Sequence, residues 1–188
     1  MKTDFVDCAI SDWAKQLPGL ETSALEVTGR LGRITRLIDR RTADAVSASG
    51  VSCRDLDVLG ALRRADSDAG LPAGECAKAA MLTSGGMTGQ ADRLASAGLI
   101  VRKPDPDDRR TVLMTLTPEG RDVVESALGA YLGASEEALG VLSDEERVAL
   151  AELLRKLLMA LEGATETEAE ENSKPARLKV SRPMRRFE

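Results

Sequence analysis

The sequence predicts a mostly helical fold with a small β-hairpin, and three observations carry that expectation. Aromatic residues are 2% of the 188 residues, so the core must be built from Leu, Val, Ala, Ile and Met, a set that favours helices. Apolar residues recur at helical spacing in several long segments, most clearly at Val27, Leu31, Ile34 and Ile38. That period breaks once, between Leu99 and Leu116, where two short aliphatic runs flank a polar loop.

In chain order, Asp4 to Leu17 reads as a short amphipathic helix, stopped by Pro18-Gly19. Thr22 or Ser23 can cap a long helix whose apolar stripe is Val27/Leu31/Ile34/Ile38, with Arg30, Arg33, Arg36, Arg40 and Arg41 on its other positions. Ser52 starts the next helix, with Asp55 in its first turn and Leu56, Leu59 and Leu62 on its buried side. Pro72 suits the first turn of a short helix ending near Lys78. Thr83 or Ser84 caps a further helix that turns Met87, Ala91, Leu94 and Ala95 inward, and Gly98 ends it. Leu99-Ile100-Val101 and Thr111 to Leu116 read as antiparallel strands around the tip Asp107-Asp108-Arg109-Arg110. Thr117-Pro118 opens a helix running to about Leu139, and Ser143 to Glu146 is a capping box for the last one, striped by Leu150, Leu154, Leu157 and Leu161. Beyond it, residues 162–171 hold five acids and no base, and residues 173–188 hold six Lys or Arg and one acid. Apolar periodicity is lost there, so a disordered tail is expected.

Composition narrows the function classes. With 43% apolar residues the chain can pack one medium domain or two small ones. No stretch approaches the roughly 20 apolar residues that span a bilayer. The N-terminus carries acids and no long apolar run, so no secretory signal is read and a cytoplasmic protein is expected. Histidine is absent, which removes the commonest general base and metal ligand together. Cys8, Cys53 and Cys76 form no C-x-x-C pair, so no zinc site, disulfide framework or cofactor is expected, and the chain is not read as an enzyme. The net charge of −5 argues against nucleic acid as a partner unless charge is placed locally.

Three compact helices followed by a two-stranded wing form the winged helix-turn-helix pattern. The reading therefore divides the chain into N-terminal helices of a dimerisation region (1–48), a winged helix-turn-helix domain (49–117), C-terminal dimerisation helices (118–162) and the tail (163–188). The leucine stripes of the flanking helices need a partner surface, and a second copy of the chain is the simplest one.

Several short motifs then fall in order. The run Asp92-Arg93-Leu94 continues through Gly98-Leu99-Ile100 to Arg102, Asp105 leads to Asp108-Arg109-Arg110, and Leu116-Thr117 is followed at the usual interval by Gly120. Over residues 25–161 the chain resembles the MarR family of transcription regulators. The resemblance implies a dimer bound to double-stranded operator DNA, with a helix in the major groove and a wing in the minor groove. Ser84, Thr88, Gln90 and Arg93 would face base edges or phosphates, while Gly85, Gly86 and Gly89 would let backbone approach phosphate. In the wing, Arg110 would enter the minor groove, steadied by Asp108, with Arg109 beside it. A solvated charged turn stays open as the alternative, because Asp105, Asp107 and Asp108 nearly cancel the local bases.

A second resemblance is to the urate-responsive subgroup of that family, carried by Trp13, by Gly29-Arg30-Leu31-Gly32-Arg33, by Asp57 and by residues 84–88. It implies a small-molecule effector bound near Trp13, Asp57 and Arg102. One position departs: Gln90 stands where the subgroup usually has Arg, so an anion would lose a charge-assisted partner and urate is expected to bind weakly or not at all. Trp13 also fits a plain core or interface anchor. Cys8 has no basic neighbour in sequence to activate it, which fits an inert thiol. The leading expectation is a dimeric repressor that binds a pseudo-palindromic operator and is released by a small ligand. The alternatives are a winged-helix protein-interaction module, which the acidic net charge would suit, and a redox switch at Cys8.

Overall fold

Helix α1 (Phe5–Gln16) is closed at its start by Asp4, whose carboxylate accepts the Val6 and Asp7 N–H groups while Asp7 returns a bond to the Asp4 N–H. It rests on α2 (Ser23–Ser47) through Val6, which is buried against Gly29. Arg30 ties the pair by ion pairs to Asp4 (2.8 Å) and Asp7 (2.6 Å), and the Arg33 guanidinium lies 4.7 Å from the centre of the Phe5 ring. Thr22 occupies the N-cap position of α2 without a capping bond from its hydroxyl, and Glu21 instead accepts from the Ser23 N–H. The computed structural model describes residues 3–65, 67, 69–108 and 110–173; the side chains of Ser84 and residues 164–173 are also outside the description.

The helical core is built from α3 (Cys53–Ala65), α4 (Ala73–Ala79) and α5 (Ser84–Ser96). Val58, Leu59, Cys76, Met87, Ala91 and Leu94 meet there, each at most 3% exposed, with Val124 and Ala127 closing the core from α6 (Pro118–Leu139). The wing is a three-stranded antiparallel sheet in the order β1-β3-β2. Strands β2 (Ile100–Pro104) and β3 (Val112–Leu116) form the expected hairpin, in a register that sets Arg102 opposite Met114. The third strand, β1 (Leu71–Pro72), pairs with Met114 and Leu113 and has no counterpart in the sequence reading, since two residues show no alternation.

One glycine fixes how α6 meets the wing. The Thr117 hydroxyl donates to the Gly98 carbonyl at 2.8 Å and caps α6 by accepting the Gly120 N–H at 2.9 Å, while the Thr117 N–H donates to the Leu99 carbonyl. A Cβ on Gly120 would lie 2.0 Å from that same carbonyl oxygen, so the helix can approach only with glycine there. Gly98, with φ +73°, supplies the left-handed residue that ends α5 and turns the chain into β2.

The chain divides into two compact units, Met1–Ala138 and Leu139–Glu188. In the second, Ser143 and Glu146 form the expected capping box of α7 (Asp144–Ser173). The helix runs eleven residues past the point where the tail was expected to begin. The cause is physical: Glu and Ala favour helix without any apolar stripe, so loss of amphipathic periodicity did not mean loss of helix. The basic segment expected in the tail lies at 174–188, outside the described residues. Among the described residues no helix is long and apolar enough to cross a membrane.

Candidate nucleic-acid interface

Helix α5 has two distinct faces. Met87, Ala91 and Leu94 recur at i, i+4 and i+7 and are 3% exposed or less, so they anchor the helix in the core. Gly85, Thr88, Gly89 and Asp92 form the opposite stripe and are exposed. Thr83 caps the helix by accepting the Gly86 N–H at 3.2 Å, leaving other first-turn N–H groups directed outward from the N-terminus. No atom would meet a Cβ on Gly85 or Gly89, so the stripe is open at both positions. An anionic backbone could approach such a surface closely.

Two side chains expected on that outer face have a different placement. The Gln90 amide donates to Asp55 of α3, and the Arg93 guanidinium pairs with the same carboxylate oxygen. Asp55 is fully buried. Its second oxygen accepts the Ser52 N–H and hydroxyl, each at 2.7 Å, which closes the start of α3. A buried carboxylate is costly unless several donors meet it, and these four do. Gln90 is thereby turned inward rather than presented for base reading, whereas Arg93 keeps about half its side chain (52%) in solvent. The Ser52-to-Asp55 spacing is a capping signal legible in the sequence; its long-range partners are not.

The wing tip is held by its own acids. Asp105 accepts the Asp107 N–H at 2.8 Å, and Asp108 accepts the Arg110 N–H and the Thr111 hydroxyl, both at 3.0 Å. Asp108 thus steadies Arg110 through its backbone, leaving the exposed Arg110 side chain without an ion pair among the described residues. Arg109 lies outside the described residues, as does the side chain of Ser84. At the wing's base Arg102 pairs with Asp92 of α5.

Trp13, Asp57 and Arg102 are not gathered into one cavity within the chain. Asp57 lines a cavity of about 540 Å³ with Leu56, Arg63, Arg64, Val124, Leu128 and Tyr131. Burial raises the Asp57 carboxyl pKa against the opposing pull of Arg64 and Arg54. Arg63 crosses the cavity wall to Glu125 at 3.0 Å. Arg102 instead lines a separate groove with Thr88, Lys78 and Met87, and Trp13, 48% exposed on α1, lines neither. The resemblance alone had grouped these three, with no spacing in the sequence to test it. Cys8 is exposed, and burial pushes the Cys76 thiol up to about 11, which leaves little thiolate at neutral pH. Among the described residues no cluster of His, Cys, Asp or Glu could hold a metal ion.

A three-helix core with an outward helix followed directly by a strand-paired wing defines a winged helix-turn-helix protein. A model of the MarR family matches residues 60–112. The HTH-type transcriptional regulator PecS of Dickeya dadantii is 30% identical over 148 residues, covering 79% of this chain and 89% of that protein. A MarR variant from Escherichia coli, solved in complex with operator DNA, is 26% identical with a TM-score of 0.63, covering 83% of this chain and 99% of that one. BpsR of Bordetella bronchiseptica, solved in a study of how 6-hydroxynicotinic acid regulates its DNA binding, is 29% identical with a TM-score of 0.65, covering 74% and 97%. The chain belongs to the MarR family of transcription regulators, and these relatives are regulators rather than enzymes.

Proposed function

We propose that this protein is a homodimeric repressor that binds a pseudo-palindromic operator and leaves it when a small molecule binds. The observation that carries the reading is the division of α5: an inner stripe locked at Met87, Ala91 and Leu94, and an outer stripe of small and polar residues centred on Thr88. Such a helix offers a rigid edge for the major groove. The wing adds Arg110 as a cation for the minor groove or phosphate, which accommodates a chain of net charge −5 because the charge that matters is local. A two-fold dimer would present two α5 helices about 34–36 Å apart, matching half-sites one turn apart.

The dimer is supported by apolar surface on the long helices. Val27 and Ile34 of α2 are 56% and 51% exposed, and Leu154, Leu157 and Leu161 of α7 are exposed as well. Release by a ligand is supported by the cavity beside Asp57, largely apolar with a few polar groups, as small-molecule sites are. Urate is not expected as that molecule, because Gln90 stands where the urate-responsive subgroup usually has Arg. Selection of DNA from random sequence by the purified protein tests the reading: enrichment of a two-fold symmetric site supports it, and no enrichment with a shallow salt dependence of binding contradicts it.

A further inference from the structure

The buried Asp55 carboxylate has a role that neither the core nor the outer stripe of α5 requires. Capping α3 uses only one of its oxygens, the one that accepts from Ser52. The other oxygen is spent on α5, where it takes Gln90 and Arg93 together. These two residues are three apart, so they lie on one face in successive turns. Contacts in two successive turns oppose both rotation of a helix about its axis and sliding along it, and here they add a polar restraint at the flank of α5 to the packing of Met87, Ala91 and Leu94 in the core. The start of α3 and the reading helix are therefore joined through a single carboxylate.

We propose that Asp55 is a positioning residue for sequence discrimination: acting through Gln90 and Arg93, it sets the rotation of α5 and so the register of the outer stripe against base edges. Gln90 then contributes to specificity without touching a base. This rests on reading α5 as the DNA-contacting helix. The consequence is specific, because a helix rotated by a few degrees misplaces every side chain on its outer stripe at once, while phosphate contacts from the wing tolerate the change.

The test uses the full-length protein, its selected operator and a random duplex, with the variants Asp55→Asn, Gln90→Ala and the two combined. Asp55→Asn retains shape but sets an amide N–H against donors from Ser52, Gln90 or Arg93. The ratio of operator to random affinity is expected to fall about tenfold or more in each single variant, the scale of a hydrogen bond to a charged group. Random-DNA affinity should stay within about twofold, and the combined variant should discriminate no worse than Asp55→Asn alone, since Gln90 acts through Asp55. Each base pair of the half-site is also substituted in turn against Gln90→Ala, a change at a half-buried side chain that serves even if Asp55→Asn does not fold. Loss of preference spread over the whole half-site supports positioning; loss at one base pair means Gln90 reads that base and overturns the proposal. Equal losses on operator and random DNA, or unaltered discrimination in Gln90→Ala, overturn it as well. A wild-type protein that cannot tell operator from random DNA overturns the DNA-binding reading itself, and the proposal with it.

Discussion

Helix α5 and the wing tip occupy consecutive stretches of chain yet are held by opposite means. The helix is fixed from within, by Met87, Ala91 and Leu94 in the core and by the Asp55 carboxylate at its flank. Among the described residues the tip is held within its own turn, through Asp105 and Asp108 accepting N–H groups of the residues that follow them. Core packing determines a side chain's position to within a fraction of an ångström, whereas a surface turn with one exposed cation can adapt. The difference assigns the tasks: sequence discrimination needs the rigid element, and attraction to a regular row of phosphates needs only a cation on a tolerant one.

The largest expected effect strikes the junction that both elements share. Gly120→Ala would drive a methyl group into the Leu99 carbonyl, at the point where α5 ends and the wing begins. We expect a loss of about 3 kcal/mol in a denaturant melt, the upper end of the usual overpacking cost, because the atom met is backbone. A variant of wild-type stability would mean that the two elements are not locked together at Leu99. Next is the dimer. Sedimentation at micromolar concentration should give twice the chain mass, and Ile34→Glu on the exposed stripe of α2 should give monomers. Operator affinity should then fall about a hundredfold or more, because the second α5 no longer binds as part of the same molecule, while random-DNA affinity falls less. A well-folded wild-type monomer would remove the two-helix geometry altogether.

The smallest effect belongs to α1, outside both elements. The Asp7 N–H and the Arg30 guanidinium hold the Asp4 carboxyl below its ordinary pKa. A depressed carboxyl contributes stability above its unfolded pKa and loses that contribution as pH falls through the lower folded value. Acidification below about pH 4 should therefore loosen α1 from α2, read as a rise in hydrogen exchange of α1, and Asp4→Asn, which removes the titrating carboxyl, should abolish the pH dependence of that step. Persistence of the step in the variant would place the responsible carboxyl elsewhere.

Much of the fold was legible because its signals were local. Thr83, Thr117 and Ser143 each cap the helix that their sequence position announces, Gly98 ends α5, and the change of period at Leu99 marks the wing. What stayed hidden depends on partners distant in sequence. The strand Leu71–Pro72 exists because β3 is there to pair with it, and Gln90 turns inward because Asp55, 35 residues earlier, is buried beneath it. A polar residue near a helix start looks the same in sequence whether it faces a base or a buried carboxylate. The tail fell short for another reason: amphipathic periodicity reports a face to be buried, and the end of α7 is helical where the sequence carries no apolar stripe.

The division between α5 and the wing is tested most directly by salt titrations of Thr88→Ala and Arg110→Ala on operator and random duplexes. Arg110→Ala should weaken both duplexes together and lower the salt slope by about one unit per subunit. Thr88→Ala should leave the slope alone and narrow the gap between operator and random DNA by roughly 1–3 kcal/mol. If Arg110 instead sets the gap while Thr88→Ala changes nothing, the wing reads the sequence and α5 does not.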